Sequence, residues 1–137
     1  MKQQTSKELL SQIHAYIESL PYSHDPKGLY DPIEYVLGLG GKRLRPVLML
    51  LAYNLFKEDV KAIFSQAAAI ETYHNFTLLH DDLIDKADMR RGKLTVHKKW
   101  NENTAILSGD AMLILSYQFM MQGCPESCMK QVMEVFS

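Results

Sequence analysis

The apolar and polar positions of the chain recur at helical spacing almost throughout. Leu9, Ile13, Tyr16, Ile17 and Leu20 follow one another every one to four residues up to Pro21, which puts them on one side of an amphipathic helix. Thr5-Ser6-Lys7-Glu8, just ahead of them, has the form of a capping box, in which a hydroxyl and a carboxylate each satisfy a free backbone N–H. Asp31-Pro32 reads as a cap followed by proline at the first helical position, and starts a short helix over 33–39 that Gly40-Gly41 stops. Pro46 starts a third helix, from 47 to about 57, apolar on nearly all sides and therefore expected to be central. Residues 60–85 hold neither proline nor glycine and predict the longest helix, of about seven turns. Asn101 or Asn103 caps the next helix, which runs through Met121, and Gly123 with Pro125 separates it from a last amphipathic piece. No strand-like alternation, internal repeat or low-complexity tract stands out. The pattern predicts an all-α protein, an antiparallel helical bundle.

Composition narrows what such a bundle can do. The chain has 137 residues, 47% of them hydrophobic, enough for one domain with a core of its own. Its 15 bases and 16 acids leave a net charge of -1, which argues against a nucleic-acid binder that relies on bulk positive charge. The apolar run 47–56 is half of what a membrane span needs and already contains Tyr53 and Asn54, so no transmembrane segment is expected. Cys124 and Cys128, with Pro125 between them and no histidine nearby, read as reduced, small apolar residues. The opening MKQQTSKELL lacks the apolar core of a signal peptide, and a cytoplasmic location is the expectation.

Charge is locally sorted, and the stretch 74–100, HNFTLLHDDLIDKADMRRGKLTVHKKW, holds most of the candidate chemistry. Residues four apart on a helix lie about 40° apart around the axis and roughly 6 Å along it, so Asp81 and Asp85 point the same way, with Asp82 beside them. Carboxylates gathered on one turn repel one another unless a cation sits among them. Hard oxygen donors favour Mg2+, which keeps several waters and is shared with substrate phosphates. Arg90 and Arg91 follow at once, so a polyanion could be held through metal on one side and by guanidinium groups on the other. On an ideal wheel Ile63, Ala67, Ile70, His74, Thr77, Asp81, Asp85 and Asp88 form one stripe, apolar at its start and charged at its end, a match for a substrate with a hydrocarbon tail and a phosphate head. Lys42, Arg43 and Arg45 lie between a double glycine and a proline, where a close-approaching backbone lets donors converge on phosphate. Taken singly, each feature also fits something plainer: a solvated helix end, a basic loop capping the carbonyls of the preceding helix, a core histidine at His74.

Together, GGKRLRP at 40–46, ETYHNFTLLHDDLID at 71–85 and MRRGKLTVHKKW at 89–100 resemble the all-trans isoprenyl diphosphate synthases, or polyprenyl synthetases. The resemblance implies Mg2+ on Asp81 and Asp85 bridging to an allylic diphosphate, with Asp82 in support and Arg90 holding the same diphosphate. Arg91, Lys42, Arg45 and His74 correspond to the set that binds isopentenyl diphosphate; Arg43 has no assigned role. It further implies head-to-tail extension through an allylic cation; a homodimer is expected separately, from the apolar surface that a partial domain would leave open. Phe76, followed by Thr77, corresponds to the region that limits chain length, and suggests a geranylgeranyl product slightly ahead of a farnesyl one; plain core packing is the alternative for Phe76. The family's members are about twice as long and carry a second aspartate-rich motif. After Asp88 the only acids here are Glu102, Asp110, Glu126 and Glu134, so residues 1–137 are expected to be the N-terminal half of one synthase domain, apparently truncated, with an incomplete metal site and one side of the core open. Two other classes stay in view: a non-catalytic partner subunit of a full-length synthase, and a helical histidine-aspartate metal phosphohydrolase using His74, His80, Asp81 and Asp110.

Overall fold

A computed structural model describes residues 2–137. The elements run α1 (Ser6–Ser19), α2 (Lys27–Gly38), α3 (Leu44–Asn54), a 3₁₀ turn (Val60–Ile63), α4 (Phe64–Ile84), a hairpin of β1 (Met89–Arg90) and β2 (Lys93–Leu94), α5 (Val96–Lys99), α6 (Glu102–Met121) and α7 (Glu126–Phe136). The capping box forms as expected: the Thr5 hydroxyl accepts from the Glu8 N–H, and Glu8 Oε2 accepts from the Thr5 N–H at 3.0 Å. Leu9, Ile13 and Ile17 of α1 then bury against Val47 and Leu50 of α3 and Phe64, Ala67 and Ala68 of α4, which makes the first of two apolar clusters. The second joins Ile33, Val36 and Leu37 of α2 to Leu79 of α4, Val96 of α5 and Ala105 and Met112 of α6.

Several boundaries depart from the sequence expectation, each for a local reason. Helix α2 begins at Lys27, capped by Pro26, and Pro32 lies inside it rather than at its start. Proline there forfeits one backbone hydrogen bond; burial of Pro32, Ile33, Val36 and Leu37 on one face offsets that loss. Helix α3 starts two residues before Pro46, which occupies the first turn, where an N–H has no intrahelical partner to lose. It ends at Asn54, whose buried side chain donates to Lys57 O (2.9 Å) and accepts from the Gln4 N–H (2.7 Å), turning the chain. Nor is α3 central: Leu44 and Leu48 are exposed. The centre belongs to α4, whose contact with α6 is the most extensive in the molecule. That contact is close because α6 presents Ala105, Ser108 and Gly109, and a methyl at Gly109 would run into the His80 imidazole. Asn101 caps α6, accepting from the Thr104 N–H at 2.8 Å.

The hairpin was not legible as strand. Two residues per strand are too few for alternation to appear, and what makes the ribbon is its turn: Arg91 (φ 52°) and Gly92 (φ 76°) both take positive φ, as a type I′ connection requires. Thr95 closes the base of the ribbon, its N–H on Asp88 O (3.0 Å) and its hydroxyl on Ala87 O (2.7 Å). Among the described residues no helix is long and apolar enough to cross a membrane.

Candidate functional site

The acidic end of α4 is where the helix stops. Asp85 is its C-cap, Lys86 turns left-handed (φ 54°), and the Asp85 N–H returns to Asp81 O at 2.8 Å, so the two carboxylates stand one turn apart. Both are exposed. Asp82 is not part of that open pair. Buried to 7% exposure, it accepts from Arg90 Nε (2.7 Å) and Nη2 (2.8 Å), a two-pronged, charge-assisted contact that uses both carboxylate oxygens. This contact holds the Arg90 guanidinium in its protonated form even more firmly than usual. Arg90 keeps its remaining N–H groups for another acceptor. The predicted stripe is shorter than expected: Ile63 belongs to the 3₁₀ turn, and Asp88 lies past the helix, paired with Lys98 (3.2 Å).

A second cluster of bases surrounds a cavity of about 450 Å³ lined by Lys42, Arg43, Arg45, Glu71, His74 and Arg91 among others. The sequence-predicted set Lys42, Arg45, His74 and Arg91 is thereby brought together. Arg45 Nη1 donates to His74 Nε2 at 3.2 Å, which makes Nε2 the unprotonated ring nitrogen. Burial, followed by the nearby Arg45 charge, lowers the His74 pKa, with Glu71 pulling the other way. Arg91 donates to Gly40 O and lies flat against Gly41. A Cβ at Gly41 would sit 2.8 Å from Arg91 Cζ, and its φ of +129° suits glycine, so the double glycine both turns the chain and leaves room for the guanidinium.

Arg43 is placed otherwise than its neighbours suggest. Its side chain is fully buried, with Nη1 on Glu71 Oε1 (3.2 Å) and Nη2 on Leu37 O (2.7 Å). Glu71, at 3% exposure, and Asn75, at 0%, complete this network and were not singled out from sequence. An acid inside an otherwise apolar stretch, AAAIETYHNF, was the available signal; which base would neutralise it depended on side-chain direction.

The hairpin links the two clusters. Consecutive residues Arg90 and Arg91 reach, respectively, the acidic end of α4 and the Gly40–Gly41 loop. Asp81 and Asp85 suit Mg2+ held through one or two carboxylates, water and a substrate phosphate: no three His, Cys, Asp or Glu side chains among the described residues gather into a closed metal cage. The residues of the phosphohydrolase ligand set are divided between two separate contacts. His74 is engaged by Arg45, whereas His80 approaches Ile106 O (3.1 Å) and Asp110 (3.7 Å) across the α4–α6 contact. Phe76 packs edge-on against Tyr73 (4.9 Å between ring centroids) and His80 (5.5 Å), and the Thr77 hydroxyl donates to His74 O (2.6 Å).

Against known proteins, the chain is 41% identical over 128 residues to a geranylgeranyl pyrophosphate synthase of Geoglobus acetivorans, covering 92% of this chain and 40% of that one. It is 39% identical over 114 residues to a geranylgeranyl diphosphate synthase of Methanosarcina mazei, covering 83% and 35%. A crystal structure of a geranylgeranyl pyrophosphate synthase superposes with a TM-score of 0.92 at 47% identity, over 97% of this chain and 40% of that one. The chain thus spans about 40% of the length of the relatives it matches. Residues 26–137 match the polyprenyl synthetase model, and with the Asp81–Asp85 turn, the Arg90–Arg91 ribbon and the Lys42–Arg45 loop assembled as described, the chain belongs to the polyprenyl synthetase family.

Proposed function

We propose that this chain carries the diphosphate-binding half of the chemistry of a short-chain prenyltransferase, which condenses an allylic diphosphate with isopentenyl diphosphate. The observation that supports this most is the ribbon: one pair of adjacent arginines serves two distinct anion sites, one beside open carboxylates, the other walled mainly by bases. Asp81 and Asp85 would hold Mg2+, which when bound supplies positive charge to the departing diphosphate. Arg90, fixed by Asp82, directs its free N–H groups to the same diphosphate as negative charge grows on it. Lys42, Arg45 and Arg91 hold isopentenyl diphosphate, and neutral His74 adds a ring N–H without adding charge. The allylic C–O bond breaks and its electron pair leaves with the diphosphate. The isopentenyl double bond then forms the new C–C bond, and a proton is lost from the adjoining carbon.

For the tail, the stripe from Asp81 through Thr77 and His74 leads to Ile70, about 16 Å away along the helix at 1.5 Å per residue. Ile70 lines an apolar groove of about 450 Å³ with Met49, Met120 and Phe136. Phe76 lies off the stripe and reaches that groove through Tyr73, which touches Phe136 at 5.6 Å. Phe76 and Thr77 therefore border the path rather than plug it, in keeping with a C20 product ahead of C15. The exposed Ile106, Leu107, Ile114 and Met121 of α6 give a homodimer an apolar face to cover. A cytoplasmic setting accords with Cys124 and Cys128, unbridged with their sulfurs 3.9 Å apart.

The purified chain is assayed with geranyl diphosphate, labelled isopentenyl diphosphate and Mg2+, and pyrophosphate binding is measured with and without the metal. Extended prenyl product, or Mg2+-dependent pyrophosphate binding that Asp81→Ala abolishes while the fold is kept, supports the proposal. A folded chain with neither turnover nor pyrophosphate binding fits a non-catalytic partner subunit of a complete synthase; phosphate release, or pyrophosphate binding indifferent to Mg2+ and to Asp81, rejects the metal role.

A further inference from the structure

Of the bases in the Lys42–Arg45 loop, Arg43 alone is turned inward. It is the left-handed residue (φ 50°, ψ 34°) from which α3 departs, between Lys42 and Arg45, which stay exposed. A turn alone would be satisfied by a third glycine after Gly40 and Gly41, with no strain and no buried charge. Instead the guanidinium is fully buried and ties three elements together: Leu37 O at the end of α2, its own backbone at the start of α3, and Glu71 on α4. Desolvating two ions is unfavourable unless their partners are well placed. Here Glu71 Oε1 takes one N–H from Arg43 and another from Asn75 Nδ2 (3.1 Å), and Asn75, wholly buried, also donates to Glu71 O (2.8 Å). Glu71 is also the only acid lining a cavity otherwise walled by Lys42, Arg43, Arg45, His74 and Arg91. An acid in an anion site weakens binding by its charge, so its presence calls for another contribution.

We propose that Glu71, acting through Arg43, is the positioning residue of this anion cavity: the buried pair holds the left-handed cap that aims Lys42 and Arg45 outward on either side of it. The proposal rests on the cavity being a diphosphate site and adds to it the group that sets its shape.

The charge and positioning effects of Glu71 have opposite signs, which makes the test direct. In Glu71→Gln the oxygen for Asn75 is kept and the charge is lost. Binding of inorganic pyrophosphate to the full chain is measured by calorimetry without metal, and the His74 ring is titrated by NMR. Positioning predicts affinity about tenfold lower, the worth of one charge-assisted hydrogen bond. It also predicts a His74 pKa that moves back up, because Arg45, the larger charge acting on the ring, leaves Nε2 once its cap is released. Unchanged or tighter binding overturns the proposal. So does a His74 pKa driven further down, the mark of an Arg45 that has stayed in place while only the Glu71 charge was lost. Where Glu71→Gln does not fold, Arg43→Met with Glu71→Gln replaces the buried ions with a near-isosteric uncharged pair; weakened pyrophosphate binding by that folded variant supports positioning, and parental affinity overturns it. Failure of the parent chain to bind pyrophosphate at all removes the anion-site reading itself, and the positioning role with it.

Discussion

Asp82 and Arg90 offer the sharpest test of how the acidic turn is built. In Asp82→Asn, an NH2 group replaces one of the two oxygens that face Arg90 Nε and Nη2 at 2.7 and 2.8 Å, setting donor against donor. Breaking a wholly buried ion pair costs about 3–5 kcal/mol, and exposed pairs contribute roughly 0–1 kcal/mol. Asp82 is 7% exposed while the Arg90 side chain remains 33% exposed, so we place the loss between these, at about 2 kcal/mol. With an unfolding entropy of about 2.1 cal/mol/K per residue, 137 residues convert that into a midpoint about 7 °C lower. Urea unfolding of the parent, Asp82→Asn, Arg90→Met and the double variant closes a thermodynamic cycle, with an expected coupling of about 1–2 kcal/mol. Were Asp82 instead an unpaired member of a crowded acidic turn, removing its charge would relieve repulsion from Asp81 and Asp85. A stabilised Asp82→Asn, or a coupling below about 0.5 kcal/mol, would therefore refute the pairing as the dominant interaction.

Two further outcomes follow from the same geometry. His74 has a folded pKa below its ordinary value of about 6.5, so the unfolded chain binds more protons between the two values. Stability should accordingly rise with pH across that window, falling again on acidification, and His74→Gln should flatten this part of a thermal-midpoint profile recorded from pH 5 to 7.5; a profile unaltered by the substitution would contradict the lowered pKa. Gly109→Ala places a methyl where the His80 ring now lies and should displace it from Ile106 O, lowering stability by about 1–3 kcal/mol in denaturant titration; a neutral or stabilising effect, as alanine propensity alone would give in a helix, would show that the α4–α6 contact is looser than described.

Much of this protein is written locally. The capping box at Thr5, the Asn101 cap, the stop at Gly40–Gly41 and the helical recurrence of apolar residues depend on groups within four positions of each other, so the sequence alone determines that the chain is a series of helices and roughly where they lie. The acidic turn and the basic loop were legible for the same reason, and their likeness to the polyprenyl synthetases joined them before any coordinates did. Tertiary structure decided what each charge is for. Asp81, Asp82 and Asp85 are indistinguishable as letters, yet only Asp82 faces the hairpin and is taken by Arg90. Arg43 shares a loop with Lys42 and Arg45, yet a left-handed backbone turns it onto Glu71, twenty-eight residues away in the chain. The same holds for Pro32, kept inside α2 because that face is buried, and for the two-residue strands, which a turn rather than a pattern creates. Local spacing sets the elements because backbone hydrogen bonds within a helix are short-range; which side chains meet across elements depends on packing, and no periodicity records it.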